Sequence, residues 1–246
     1  MAQDNTSIPI HLQLMNAVIT KNIEEVTKLL MDGAPVNLKD VKGNTVLIQT
    51  ATEGCTDIAH LLIKYGADVN EVNDQRKTAL MYAAEKGYHF LLKYLIIKNS
   101  ELDKCDINGL TALMYAAFKG HANVVEHLIE NKANIDIIDK YDRNALIYAT
   151  NKGHVDVARQ LIQSKADLNK VDNLGNTALM YAAHDGHTDI VKLLVEAGAD
   201  LDMTDARGDT ALDLAYLNTQ EDIIKYLEEV MNKKENNNQI NLDMVE

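Results

Sequence analysis

Three histidines, His121, His154 and His187, recur at intervals of 33 residues, and two cysteines, Cys55 and Cys105, complete the soft ligands and nucleophiles that invite a chemical reading of this 246-residue chain. Imidazoles and thiols of this kind hold zinc or supply a base and a nucleophile. The spacing argues against both. Zinc ligands converge to within about 2 Å of one ion, whereas a fixed interval puts each histidine on its own unit, roughly 10 Å from the next. Each histidine follows a glycine and is expected to bond nearby backbone in a turn. The cysteines stand at different phases of the interval, so nothing brings them together as a disulfide, and a reducing cytosol is the compartment they fit. The sequence holds no Gly-rich phosphate loop, no nucleophile elbow and no His-x-x-x-His helix. Its carboxylates are scattered, with no shared cleft to move their pKa values. The expectation is a protein without catalytic residues, cofactor or metal.

The same interval governs the whole chain. The heptapeptide TALMYAA starts at Thr78, Thr111 and Thr177, with NALIYAT at Asn144, TALDLAY at Thr210 and TVLIQTA at Thr45. Such a period means stacked units, none of which buries its apolar face alone. Within a unit, Leu80, Ala83 and Ala84, then Leu91, Leu92, Leu95 and Ile96, follow helical spacing and mark two short amphipathic helices. The alanines let paired helices approach, and the Leu and Ile residues fill the space between units. Gly87, Gly120, Gly153 and Gly186 separate the two helices at a position that suits a left-handed backbone. Asp156, Asp189 and Asp222 then stand in the first turn of the second helix, where free amides favour a carboxylate.

Residues 172 to 202, DNLGNTALMYAAHDGHTDIVKLLVEAGADLD, carry the unit nearly whole. This resembles the ankyrin repeat, and the resemblance covers about residues 8 to 230. It implies an all-α solenoid of helix-turn-helix units joined by hairpin-like turns. Where that family has Thr-Pro-Leu-His, this chain mostly has Thr-Ala-Leu-Met. The organisation that follows is a flexible amino terminus at 1–7, an amino-terminal half-cap at 8–39, and full repeats at 40–72, 73–105, 106–138, 139–171 and 172–204. A carboxy-terminal cap at 205–232 completes the array, and a flexible tail occupies 233–246. The whole is read as a single elongated domain and a monomer.

Composition bounds the partners. The net charge of −13 excludes general nucleic-acid binding, and ten Asp or Glu against four Lys or Arg lie between 205 and 246. No apolar stretch is long enough to span a bilayer, and MAQDNTSIPI lacks the charged start and apolar core of a signal peptide. A soluble cytoplasmic protein is expected.

The resemblance places binding on the face formed by the turn tips before each threonine and the residues preceding each Gly-His. On that face the partner-binding candidates are Lys86, Ile107, Leu110, Phe118, Lys119, Tyr141, Arg143, Lys152 and Leu174. Lys86, Lys119 and Lys152 are spaced by 33 residues and should form a cationic column on an acidic protein. Beside them stand apolar groups where solubility favours polar ones. The expected function is a non-catalytic scaffold for a partner protein segment with acidic and apolar side chains. The alternative is an effector secreted into a host cell, with the tail as targeting signal. Tyr82, Tyr115, Tyr148 and Tyr181 are assigned to packing between repeats. Asn37, Asn70 and Asn169 resemble asparagines that are hydroxylated in ankyrin proteins. Finally, the second helix is followed by Gly33, Gly66 and Gly198 in outer repeats but by Asn99, Lys132 and Lys165 in central ones, where a left-handed backbone would strain a side chain.

Overall fold

A computed structural model describes residues 8–243, and within them the chain is helical with no strand. It divides into two compact units that meet between Ile137 and Ile138, within a residue of a repeat boundary. A repeat touches only its neighbours, so any boundary between repeats is a natural place to divide the chain.

The first unit holds α1 (Ile10–Ile19), α2 (Ile23–Met31), α3 (Val46–Glu53), α4 (Thr56–Lys64), α5 (Ala79–Lys86), α6 (His89–Ile97), α7 (Ala112–Lys119) and α8 (Ala122–Glu130). Within it the first helices α1, α3, α5 and α7 pack in one row and the second helices α2, α4, α6 and α8 in another. The second unit holds α9 (Ala145–Asn151), α10 (Val155–Gln163), α11 (Ala178–His184), α12 (Thr188–Glu196), α13 (Ala211–Leu217) and α14 (Glu221–Asp243). There α9, α11 and α13 form the first row and α10, α12 and α14 the second.

From α3 onward a recurring threonine, or Asn144 in its place, starts each first helix. Thr78 Oγ1 accepts the amide of Met81 at 3.2 Å, Thr111 that of Met114 at 3.3 Å, and Asn144 takes the same role for Ile147 at 3.0 Å. Behind the cap, Leu80, Met81, Ala83 and Ala84 are buried, as are Leu91, Leu92 and Leu95 of the helix that follows. Burying one such leucine contributes on the order of 2 kcal/mol. The alanines let the rows approach, and the second-helix leucines fill the layer between repeats.

Hairpin-like turns join the repeats. The amide of Asp106 donates to the carbonyl of Leu110 at 3.0 Å, and Asp139 and Asp172 repeat this with Arg143 and Asn176. Successive tips then bond each other: the Ile107 amide reaches the Gln75 carbonyl at 3.1 Å in the first unit, and the Asn173 amide the Tyr141 carbonyl at 3.0 Å in the second.

Two expectations change. Residues 8–39 contain a complete helix pair, α1 and α2, instead of a half-cap, because Lys21 adopts the left-handed turn that glycine makes elsewhere. Lys21, one period before Gly54, takes this backbone at φ 54°, and its Nζ donates to the Glu53 carbonyl at 3.0 Å. Helix α14 runs on to Asp243 through residues placed in the flexible tail. That segment has no proline or glycine and is fed by Lys, Glu and Gln on an already nucleated helix. Residues 1–7 and 244–246 lie outside the described residues. The left-handed reading holds: φ is 65° at Asn99, 71° at Lys132 and 64° at Lys165, matching Gly33, Gly66 and Gly198.

Candidate partner-binding face

The turn tips are held by a bond system whose members stand nine residues apart. Asp106 Oδ1 accepts the amides of Asn108 at 2.8 Å and Leu110 at 2.9 Å, while its Oδ2 accepts the phenol of Tyr115 at 2.8 Å. Asp172 does the same with Leu174, Asn176 and Tyr181. Asp139 does so with Tyr141, Arg143 and Tyr148, and the Arg143 guanidinium also binds its Oδ2 at 2.8 Å. Each buried carboxylate is thereby satisfied, and each tip is tied to the first helix behind it.

Electrostatics follow from this geometry. Burial raises the carboxyl pKa of Asp139, but hydrogen bonds from Arg143, Tyr148 and Tyr141 outweigh it and hold the group below the usual carboxylate range. Burial first, then the bond to Asp106, pushes the phenol of Tyr115 well above its ordinary value, and Tyr181 behaves likewise against Asp172. Of the tyrosines assigned to packing, Tyr115, Tyr148 and Tyr181 are therefore also structural donors, while Tyr82 accepts from Asn73. An Asp five residues before the capping Thr or Asn and a Tyr four after it recur together in three repeats, and that pairing was visible in the sequence.

The nine candidate residues are distributed as follows. In the first unit, Lys86 and Lys119 end α5 and α7 at equivalent, exposed positions. Ile107 is 50% exposed at a tip, whereas Leu110 and Phe118 are half-buried. Phe118 thus stands less proud than its place before the Gly-His suggests, and the Lys119 ammonium lies 5.2 Å from its ring centre. In the second unit, Tyr141 and Leu174 are exposed on adjacent tips, and Lys152 is exposed just after α9. Arg143 is not a free cation. It is half-buried, paired with Asp139, and stacked 4.7 Å from Tyr141 and 4.6 Å from Tyr148. The corresponding first-unit position is Lys77, half-buried over the Tyr115 ring at 4.1 Å and paired with Glu85 at 3.2 Å.

Beside Leu174, which is 59% exposed, a groove of about 250 Å³ opens between the turn tips and the first helices of the second unit. Met180 and Leu214 line it with His184, Asp185 and Arg207, so apolar groups meet polar groups of both signs. At the tips of the first unit, Val41 is 97% exposed, an apolar residue that the sequence reading passed over.

Two repeating side-chain columns prove structural. His121 Nε2 lies 3.1 Å from the Glu85 carbonyl of the preceding repeat, and Gln220 donates to His184 in the equivalent place at 3.3 Å. Asn37 donates to the Gly66 carbonyl at 3.0 Å and accepts the Asp68 amide at 2.9 Å, so one carboxamide staples two repeats. Asn70 does the same with Asn99 and Glu101, and Asn169 accepts the amide of Asp200 at 2.9 Å. Asp103 supplies the acceptor half of the staple to Asn134.

A family model of ankyrin repeats matches the chain three times, over residues 14–106, 87–172 and 160–240. The NF-kappa-B p105 subunit of Gallus gallus is similar to the chain at 48% identity over 65 residues. That stretch is 26% of this chain and 6% of the relative, so the chain spans a small fraction of that protein's length. Among the described residues, no helix is long and apolar enough to cross a membrane.

Proposed function

Because the chain belongs to the ankyrin-repeat family, whose repeats are generally protein–protein interaction modules, we propose that it is a non-catalytic scaffold that holds a segment of another protein. The segment lies along the turn tips and first helices. The observation that carries this reading is Leu174: an exposed leucine at the mouth of a groove whose polar rim includes Arg207, paired with Asp205 and Asp209, and His184, paired with Asp185. A tip held rigidly by Asp172 presents that leucine without a loop-ordering penalty. In the second unit, Lys152 at a helix end favours carboxylates on the partner, with apolar side chains for Tyr141 and Leu174; in the first unit, Lys86, Lys119 and Ile107 offer the same chemistry. Cytoplasmic placement belongs to the same reading and is supported by the free thiols of Cys55 and Cys105.

A crosslinking pulldown in native lysate identifies the partner, and binding is then measured with the purified pair. Leu174→Asp and Phe118→Ala are each expected to cost about 2 kcal/mol of affinity, and Lys119→Glu to slow association in a salt-dependent way. Affinities equal to the parent in all three variants would refute the assignment. We further propose Asn37, Asn70 and Asn169 as hydroxylase substrates. Mass spectra of protein from animal cells should show one added oxygen on them, and unmodified asparagine at all three sites would end that idea.

A further inference from the structure

Helix α6 departs from a pattern that the other second helices keep. Twelve residues past the capping Thr or Asn, those of the full repeats and the carboxy-terminal cap carry Asp57, Asn123, Asp156, Asp189 and Asp222, whereas α6 carries Phe90, which is 70% exposed. Phe90 thus forgoes the favourable meeting of a side-chain carboxylate with free amides at a helix start. Seven residues on, Lys64, Glu130, Gln163, Glu196 and Glu229 correspond to Ile97, 67% exposed; only Met31 of α2 shares its apolar character among second helices. Leu91, Leu92 and Leu95 already face inward and are buried. The helix is therefore apolar on two sides, a property of helices covered on both. Phe90 and Ile97 stand exposed on the outer side, and Tyr94 between them is half-buried.

The neighbouring surface extends the stripe. A groove of about 650 Å³ runs between α2, α4 and α6, and on its lining the rings of His60 and Tyr94 stack 3.7 Å apart. Ile23 lines it too and is 44% exposed. On the groove stand exposed Lys64 and Lys98 against the single carboxylate Asp57, with Lys93 exposed beside them on α6, in a chain whose net charge is −13. The patch is thus locally cationic on an acidic protein.

We propose that the outer face of α4 and α6 is a second docking surface, distinct from the turn-tip face, for a partner protein segment that presents aliphatic side chains flanked by carboxylates. Charge complementarity selects this occupant over a second copy of the chain. Two-fold pairing through α6 would set Lys93 and Lys98 of one copy against the same residues of the other. The aliphatic groups fill the stacked-ring groove and cover Phe90 and Ile97, and the carboxylates meet the three lysines.

The test uses a random peptide library displayed on phage and selected against the full chain, followed by fluorescence anisotropy with synthetic copies of the enriched peptides. Phe90→Asp and Ile97→Glu install residues that neighbouring repeats carry at these positions, so both variants should melt no lower than the parent. The proposal expects an acidic, aliphatic peptide class whose affinity falls by about tenfold or more in each variant. The same peptides should weaken with Lys64→Glu plus Lys98→Glu, and keep parental affinity with Phe118→Ala and Leu174→Asp. Enriched peptides that are basic, or that bind Phe90→Asp as well as the parent, would overturn it. So would a parent that sediments as a dimer and becomes monomeric on Phe90→Asp, since the occupant would then be a second copy.

Discussion

Arg143 lies on Asp139: its Nη2 and Nε reach the same carboxylate oxygen at 2.8 Å and 3.1 Å, and the Tyr148 phenol donates to that oxygen at 2.6 Å. The Asp139 side chain is fully buried, and its other oxygen holds the amides of Tyr141 and Arg143. Removing it orphans several donors at once. Asp139→Ala is expected to lower stability by about 3 kcal/mol, and Tyr148→Phe by about 1 kcal/mol because Arg143 still satisfies the carboxylate. Urea titrations of the two variants measure the difference, and an equal loss in both would contradict the shared-oxygen arrangement.

The pH dependence has two limbs. Asp139 has a folded pKa below its unfolded value, so its contribution is present above the ordinary carboxylate pKa of about 4 and is lost as pH falls through the lower folded value. Tyr115 and Tyr181 have folded pKa values above the ordinary phenol, so theirs is present below about pH 10 and is lost as pH rises beyond it. Melting temperature should therefore fall below about pH 4 and above about pH 10. The Tyr115→Phe, Tyr181→Phe double variant should show a shallower alkaline fall than the parent; an unchanged alkaline limb would speak against the tyrosine assignment.

Lys132 and Lys165 pay for their left-handed backbone with strain that glycine does not suffer. Replacing either with glycine is expected to raise stability by roughly 1 kcal/mol. The reciprocal Gly66→Lys should cost a similar amount and no more, since a Cβ at Gly66 meets nothing within 4 Å. Hydrogen exchange resolved by repeat locates the effect, with the amides of 106–138 and 139–171 opening before those of 40–72 in the parent. Glycine variants that melt lower than the parent would count against it.

Gly87 and Gly153 behave differently. A Cβ on Gly87 would lie 2.7 Å from the His121 ring, and one on Gly153 equally close to His187. Both the backbone and the next repeat's imidazole forbid a side chain, so Gly87→Ala should destabilise by about 2 kcal/mol or more. The double variant Gly87→Ala, His121→Ala should recover part of that loss, and chemical denaturation of the single and double variants measures the recovery.

The period of 33 residues, the threonine caps and the alanine and leucine positions were legible in the chain, because they obey local rules: a hydroxyl that accepts an amide three residues on, and apolar groups at helical spacing. The left-handed state of Lys132 and Lys165 was legible for the same reason, since aligned copies share one backbone and glycine marks it in their neighbours. Side-chain exposure and pairing were not. Arg143 and Phe118 both read as partner-binding candidates, because spacing places a residue on a face without saying what covers it. The carboxylate that claims Arg143 and the burial of Phe118 arise only when helices and turns stack. Phe90 shows the converse. Its apolar character was plain in the sequence, but a helix apolar on both sides looks the same whether its outer side is covered or open, and packing of the rows left that side exposed.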